Sequence, residues 1–472
     1  MVIMKKIIVF AVMAPALLLL CLTPVLAGSG FEDVAARSAL LVETETGMVL
    51  YEHNAETRRP PDAMVKVMTL LLAVVACENG SVSPDDVVVM TESAHYNIDS
   101  SSTTQSIMPG EEMTLLDLMY CAYIGGANEA CNLIAEHISG SVGAFITGMN
   151  RRAGELGCIS TYYTNANGLY SGSHYTTAMD QYAIFREALT RPLFAEIAGT
   201  YEYTVEETNM SEARRLINAN GLLNSDSKYH YMPTTAGMAS YVGFLAADVT
   251  AAGGYSFVAA AESNDLSLIC VVLGAEAVVL EDESVEMQNL TEARRLFEWG
   301  YSQFSLRTVL STDGIIARAP IMHGAGADFV NLRPESSITI LLNNDIPDSY
   351  FERVVTIYSI ENNDVHYAPV HVDDVLGEVM IVGLGGEEYG PVLLLANTNI
   401  ELHRMQFIRM RISDMLSSTA ARVVIWILAI IVLAYIALVV RYNILRRKRL
   451  RKNAEARKRL KDEKQGINSE KW

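Results

Sequence analysis

The chain has 472 residues, enough for two or three domains with separate hydrophobic cores. Its charge is divided unevenly, since residues 28–421 contain 20 Lys and Arg against 51 Asp and Glu, whereas residues 441–472 contain 13 against 4. Because phosphate groups are bound through basic side chains, the acidic body excludes nucleic acid as its main partner.

Five cysteines follow residue 27, and they are scattered through apolar segments. An odd number in such positions predicts buried free thiols and not a disulfide framework. No Cys or His pair has the spacing of a metal site, so we expect neither a metal nor another cofactor.

The first residues have the features of a secretory signal. Lys5 and Lys6 precede an apolar run over residues 7–22, and a small-residue cleavage sequence ends at Ala27. This pattern predicts a signal peptide over residues 1–27 and export of the chain that follows.

A buried helix is predicted after the first strands. Residues 38–51 read as two strands that meet at a turn around Gly47. Two prolines then lead into an apolar run with helical spacing that ends at Cys77. Ala63 and Lys66 are three residues apart in the first turn of this helix, so their side chains share one face.

The middle of the chain is predicted to be helical and its flanks to form strands. A polar loop at residues 80–106 is followed by helices over residues 115–123, 128–138, 142–156 and 178–189. Strands return from about Met238, clearest over residues 256–262 and 266–273, and a helix over 291–304 follows. This order predicts an α/β (α+β) domain over residues 28–304, in which a mixed sheet packs against a helical cluster.

Short β runs fill residues 305–402, which predicts a small all-β domain. Residues 403–421 then place apolar side chains at helical spacing between arginines. Such a basic amphipathic helix is typical of the bilayer surface, although a simple connector helix would show the same pattern.

A single transmembrane helix is predicted over residues 423–440, which are 18 uncharged apolar residues, about 27 Å as a helix. Basic segments beside a membrane span usually stay in the cytoplasm. The tail at residues 441–472 is therefore predicted to be cytoplasmic, and the large domain to lie outside the membrane. The tail either contacts a cytoplasmic partner or fixes the membrane topology by contacting anionic lipid. The sequence leaves both alternatives open.

Several stretches resemble the D-alanyl-D-alanine carboxypeptidases, the low-molecular-weight penicillin-binding proteins that trim peptidoglycan stem peptides. They are residues 39–52, 128–141, 149–157 and 167–180. The resemblance extends from Phe31 to about Phe304 and more loosely to residue 402. It implies a serine β-lactamase-like (DD-peptidase-like) fold followed by the family's small β domain. The spanning helix departs from the amphipathic C-terminal anchor common in the family.

The family's first motif, S-x-x-K, supplies the nucleophile and its base. Here it reads Ala63-Met64-Val65-Lys66, so the base position is retained and the serine is lost. Neither neighbour is a credible replacement, because Asp62 points about 100° away on a helix and Thr69 lies one turn further on.

The other two motifs are also degenerate. The second, S-x-N, relays a proton through its hydroxyl and holds the substrate amide, and here it reads Gly126-Ala127-Asn128. The third, K-T-G, meets the substrate carboxylate, and here it is best matched by Thr235-Ala236-Gly237. Of the five residues that these two motifs specify, only Asn128 and Gly237 are kept.

Each retained residue also has a purely structural interpretation. Lys66 could pair with a carboxylate in the cleft that the three motifs line in the family. Asn128 could be the N-cap of the helix that begins there, and Gly237 could be needed only for strand packing. These alternatives stay open at the level of sequence.

Three functions are compatible with these features. The first is a membrane-anchored, catalytically inactive relative, a pseudoenzyme that binds a peptidoglycan stem peptide or a cell-wall protein. The second is an active serine-type D-Ala-D-Ala carboxypeptidase that uses another nucleophile, and the third is a structural envelope scaffold. The three motif losses favour the first function, since fold alone does not establish activity.

Overall fold

The computed structural model describes residues 31–467 except 32, 99–101, 240–253, 264, 281–282, 284 and 363–364. The signal peptide predicted at residues 1–27 lies outside the described residues, as does the end of the basic tail. The chain divides into two compact units, Met1–Arg307 with Ile340–Pro347 and Thr308–Thr339 with Asp348–Trp472.

Eleven strands of the first unit are described. They are β1 (Ala36–Glu43), β2 (Val49–His53), β3 (Val87–Val89), β4 (Glu112–Thr114), β5 (Glu202–Val205), β6 (Arg214–Ile217), β7 (Thr234–Ala239), β8 (Tyr255–Ser263), β9 (Leu266–Ala275), β10 (Ala277–Val279) and β11 (Val285–Met287).

The described helices of this unit lie between β2 and β3, between β4 and β5, and after β11. They are α1 (Val65–Glu78), α2 (Leu115–Tyr123), α3 (Asn128–Ser139), α4 (Val142–Glu155), α5 (Ala178–Leu189), α6 (Pro192–Gly199) and α7 (Gln288–Gln303), with short 3₁₀ turns at Asp62–Met64 and Ser93–His95.

A five-stranded antiparallel sheet in the order β2-β1-β9-β8-β7 separates two hydrophobic layers. On β9, Ile269 and Val271 face the helical cluster, whereas Cys270 and Val272 face the layer that contains α7. Because strand side chains alternate between faces, a strand covered on both faces reads as one continuous apolar run.

Helix α1 lies in the centre of the helical layer. Its side chains are apolar around most of the circumference, and Val67, Met68 and Leu71 are fully buried. A helix of this kind is stable only when it is surrounded by other elements. The first turn of α1 is therefore enclosed, and a polar side chain there must find its hydrogen bonds inside the protein.

The strands that follow belong to the second unit or contain its boundary. They are β12 (Phe304–Leu310), β13 (Ala317–Pro320), β14 (Phe329–Pro334), β15 (Ile338–Asn343), β16 (Phe351–Ile357), β17 (Val375–Gly383) and β18 (Glu388–Ala396). Five of them form a sheet in the order β13-β14-β18-β17-β16, whose core includes Leu332, Val379 and Leu394.

The described α-helices of the second unit are α8 (Tyr358–Glu361), α9 (Arg404–Ser417) and α10 (Thr419–Ile467). Within the described chain, one helical segment, Arg422–Arg459, is long and apolar enough to cross a membrane. Several apolar residues of α9, such as Met405 and Ile412, are exposed, and the location of this helix at a bilayer surface stays a prediction.

Most predicted elements and the mixed α/β fold class are confirmed. The five described cysteines are free and four are buried, which confirms the expectation of free thiols. The uninterrupted loop predicted over residues 80–106 is wrong, because Val87–Val89 pairs with Glu112–Thr114. Helix α6 and the β5–β6 hairpin were not predicted, because segments of four to eight residues are too short to show a clear period.

Candidate functional site

A tight turn places Ala63 directly before α1. Asp62 has a φ of 47°, which is uncommon for a residue other than glycine. The backbone of Gly168 lies against this turn, and a Cβ atom on Gly168 would be 2.2 Å from the carbonyl oxygen of Asp62. Only glycine fits this approach, so the loop around residue 168 is held tightly beside position 63.

Lys66 is enclosed in the first turn of α1, with 4% of its surface exposed. Its Nζ donates to Asn128 Oδ1 at 2.8 Å and to the backbone carbonyl of Asn167. Burial lowers the pKa of the Lys66 ammonium group. Lys66 forms no ion pair with any described carboxylate, so the interpretation that it pairs with one is wrong.

No hydroxyl replaces the missing serine among the residues that the structure describes. Lys66 donates only to an amide oxygen and a backbone carbonyl. The Thr69 hydroxyl is already used, since it donates to the carbonyl of Ala166 at 2.6 Å. The base position is therefore preserved without an adjacent group that it could activate.

Asp62 is also a poor substitute nucleophile. Burial raises the pKa of its carboxyl group to about 8, so this group holds a proton at neutral pH. The hydroxyl of Ser256 on β8 donates to its Oδ2 at 3.3 Å. The described hydrogen-bond partner of the Asp62 side chain is therefore a residue of the sheet and not Lys66.

The second motif has lost the space for a serine as well as the residue. Gly126 has a φ of 69°, and a Cβ atom there would lie 3.1 Å from the methyl group of Thr103. Among the described residues, no hydroxyl oxygen lies within 4 Å of that Cβ position. A serine at this position would need both a strained backbone and a shift of Thr103.

Asn128 does not cap its helix. The N-cap of α3 is Ala127, without a side-chain capping bond, so the N-cap interpretation is wrong. The backbone N–H of Asn128 donates to the carbonyl of Thr103 at 3.2 Å, and its side chain is left to accept from Lys66.

Sequence reasoning missed two further asparagines at this site. Asn167 Nδ2 donates to Asn132 Oδ1 at 3.3 Å, and Asn132 Nδ2 donates to the carbonyl of Ala94 at 2.9 Å. Both side chains are buried. A possible signal was the Asn-x-Asn-Gly stretch at residues 165–168, whose composition is typical of an ordered turn.

The third motif lies on β7, the edge strand of the sheet, and β7 contacts the turn Asp62–Met64. Thr235 is exposed, and its hydroxyl donates to the carbonyl of Ala260 at 3.2 Å. Gly237 pairs with Ala259 on β8. Strand β7 therefore lies at the site, but Thr235 is uncharged and cannot form an ion pair with a substrate carboxylate.

The described groups around Lys66 form hydrogen bonds, and none of them is a hydroxyl beside the lysine. The described site offers buried amides, backbone carbonyls and an enclosed lysine, and its described residues place no hydroxyl against that lysine. Acyl transfer to the protein needs such a nucleophile beside a base.

Known proteins with similar sequences are carboxypeptidases. A sequence profile described as D-alanyl-D-alanine carboxypeptidase matches residues 26–277. The D-alanyl-D-alanine carboxypeptidase DacF of Bacillus subtilis is 29% identical over 307 residues, 65% of this chain and 72% of the relative. DacA of Escherichia coli is 24% identical over 353 residues, 74% of this chain and 80% of the relative.

Solved structures share the fold. Penicillin-binding protein 3 of Streptococcus pneumoniae, described as a peptidoglycan synthesis regulatory factor, superposes with a TM-score of 0.56 at 20% identity. That comparison covers 78% of this chain and all of the other. Penicillin-binding protein 5 of Haemophilus influenzae gives a TM-score of 0.55 at 22% identity, covering 79% of this chain and all of the other.

Proposed function

Because the chain belongs to the D-alanyl-D-alanine carboxypeptidase family, we propose that it is a membrane-anchored member that binds peptidoglycan or a cell-wall protein without hydrolysing it. The observation that supports this proposal is the environment of Lys66. The lysine is retained and enclosed by Asn128 and Asn167, while position 63 offers a methyl group in place of a hydroxyl.

The expected loss of activity is large. Removal of the serine nucleophile in a comparable hydrolase lowers turnover on the order of 10⁶-fold, about 8 kcal/mol of barrier. The hydroxyl of the second motif and the cation of the third are also missing, at Gly126 and Thr235.

The proposed location follows from the charges around the C-terminal helix. Arg422 and Arg441 flank the apolar segment, and the following residues are strongly basic. We place this tail in the cytoplasm and residues 28–421 outside the membrane, in a single-pass arrangement. In that arrangement the degenerate site faces the cell wall.

Labelling with a fluorescent penicillin tests the absence of chemistry, because acylation needs a hydroxyl nucleophile. We expect no covalent adduct on the full-length protein in detergent, nor on Ala63→Ser alone. A stable adduct on the wild-type protein would show that another residue attacks.

Sedimentation with purified peptidoglycan sacculi tests the binding part. We expect the protein to pellet with the sacculi, and Asn128→Ala to reduce the pelleted fraction. Asn397→Ala changes an exposed asparagine of the second unit and is the matched control. If the wild-type protein stays in the supernatant, peptidoglycan is not its ligand.

A further inference from the structure

A large cleft lies beside the degenerate site and shares two of its residues. The cleft has a volume of about 1250 Å³ and is lined by β3, the C-terminal half of α3, the start of α4 and the loop at residues 164–171. Asn132 and Asn167, which connect to Lys66, are part of its lining. Its volume exceeds the roughly 300–1,000 Å³ of common small-molecule sites, so it has room for several sugar rings.

The lining of this cleft does not suit an anion. Its described lining residues include neither Lys nor Arg, and Lys66 is the only Lys or Arg in residues 60–150 of the sequence. The carboxylate and the imidazole among its described lining residues already have partners, since Glu136 accepts from Thr91 at 2.6 Å and His137 lies 3.3 Å from Asp86. A peptide with free carboxylates would find no charged donor there. The cleft therefore favours a neutral ligand.

Two exposed tyrosines belong to the lining. Tyr96 is 74% exposed and Tyr170 is 66% exposed. The loop that presents Tyr170 is held by its own side chains, because Asn165 Nδ2 donates to the carbonyl of Leu169 at 2.7 Å and Asn165 Oδ1 accepts from the N–H of Gly168 at 2.8 Å. An ordered tyrosine offers a rigid apolar face with a polar tip, at low entropic cost on binding.

Buried polar groups also line the cleft. Asn132 and Asn167 are 5% and 3% exposed, and a primary amide has more donor and acceptor positions than each of them uses in the described chain. The hydroxyl oxygen of Thr164 is buried and has no hydrogen-bond partner among the described residues. Such groups match the N–H and C=O of an acetamido substituent.

We infer that this cleft binds a neutral, N-acetylated oligosaccharide, with sugar rings stacked on Tyr96 and Tyr170 and acetamido groups bonded to Asn132 and Thr164. The inference rests on the proposed function, because the glycan strand is the uncharged part of peptidoglycan. The glycan strand, and not the stem peptide, is then the part of peptidoglycan that the cleft binds.

The test is a calorimetric titration of the full-length protein in lipid nanodiscs. The probe is chitotetraose, four β-1,4-linked N-acetylglucosamine units, and the comparison is a stem pentapeptide with free carboxylates. We expect saturable binding of chitotetraose at millimolar or lower concentration and weaker binding of the pentapeptide. Tyr170→Ala and Tyr96→Ala should each weaken chitotetraose binding about tenfold, whereas Tyr170→Phe, which keeps the ring, should not.

Tyr162→Ala is the matched control. Tyr162 is 47% exposed and does not line the cleft, so its removal should leave the affinity unchanged. Equal effects of Tyr162→Ala and Tyr170→Ala, or the absence of chitotetraose binding, would refute the inference. If chitotetraose fails to bind while the protein still sediments with sacculi, the glycan assignment is wrong and the proposed function stands. If sacculi are not bound either, the peptidoglycan part of the proposed function fails too.

Discussion

The buried carboxyl group of Asp62 makes a sharp prediction about stability. It is 7% exposed, accepts from Ser256, and forms no ion pair with a described residue. Burial raises its pKa from 3.8 to about 8. Asp62→Asn keeps the shape of the side chain and tolerates the φ of 47°, since asparagine enters the left-handed region more readily than most residues.

The direction in which the free energy of unfolding changes with pH follows from which state binds the Asp62 proton. Between pH 4 and pH 8 the folded state keeps the Asp62 proton while the unfolded chain releases it, so the free energy of unfolding of the wild-type protein decreases as pH rises. Below the pKa that the Asp62 carboxyl group has in the unfolded chain, both states hold the proton, so keeping it in the folded state costs no stability. At pH 7, about three units above that pKa, the cost amounts to about 4 kcal/mol at 1.36 kcal/mol per unit. Asp62→Asn removes this cost.

Thermal unfolding of the full-length protein in detergent between pH 5 and pH 8 measures the effect. For a unit of roughly 280 residues the entropy of unfolding is about 0.6 kcal/mol/K, which converts 4 kcal/mol to about 7 °C at pH 7. We expect the advantage of Asp62→Asn to grow by about 2 °C per pH unit up to pH 8. Asp85→Asn changes an exposed carboxylate and serves as the control.

Two results would refute this reasoning. One is a Tm difference between Asp62→Asn and wild type that does not depend on pH, because that would exclude proton linkage as its cause. The other is a lower Tm of the variant at pH 7, because that would show that the ionised carboxylate is stabilised in the folded protein.

Two further predictions concern stability in denaturant. Gly168→Ala should cost about 3 kcal/mol or more, because its Cβ would lie 2.2 Å from a backbone oxygen, whereas Gly172→Ala, with open space around it, should cost under about 1 kcal/mol. Equal costs would disprove the close approach. Arg214→Ala should cost about 3–5 kcal/mol, because it leaves Glu111, 1% exposed, without its cation, while Arg215→Ala removes an exposed surface pair and should cost much less. A small effect of Arg214→Ala would mean that Glu111 finds another donor.

Local patterns were sufficient for most of the fold. The helices Leu115–Tyr123 and Ala178–Leu189 have the predicted bounds, and the strands on both sides of Gly47 lie where the alternation of side chains places them. These elements are long enough for their period to be read from neighbouring residues. The short strand Val87–Val89 has no such period and depends on its partner strand.

The partners of Lys66 could not be read in the same way. A carboxylate was a reasonable expectation, but the lysine donates to Asn128 and to the carbonyl of Asn167, which are 62 and 101 positions away in the chain. Backbone carbonyls have no signature in sequence, and contacts at such separations depend on how helices and loops pack.

The amino-acid sequence by itself determined which chemical groups the protein possesses. The missing hydroxyls at positions 63 and 126, the missing cation at 235 and the apolar segment before the basic tail are properties of composition and spacing. Only the tertiary structure decided what the remaining groups do. Burial sets the protonation of Asp62, and the packing of distant segments joins Lys66 to buried amides beside a cleft, because dielectric environment and hydrogen-bond geometry exist only once the chain is folded.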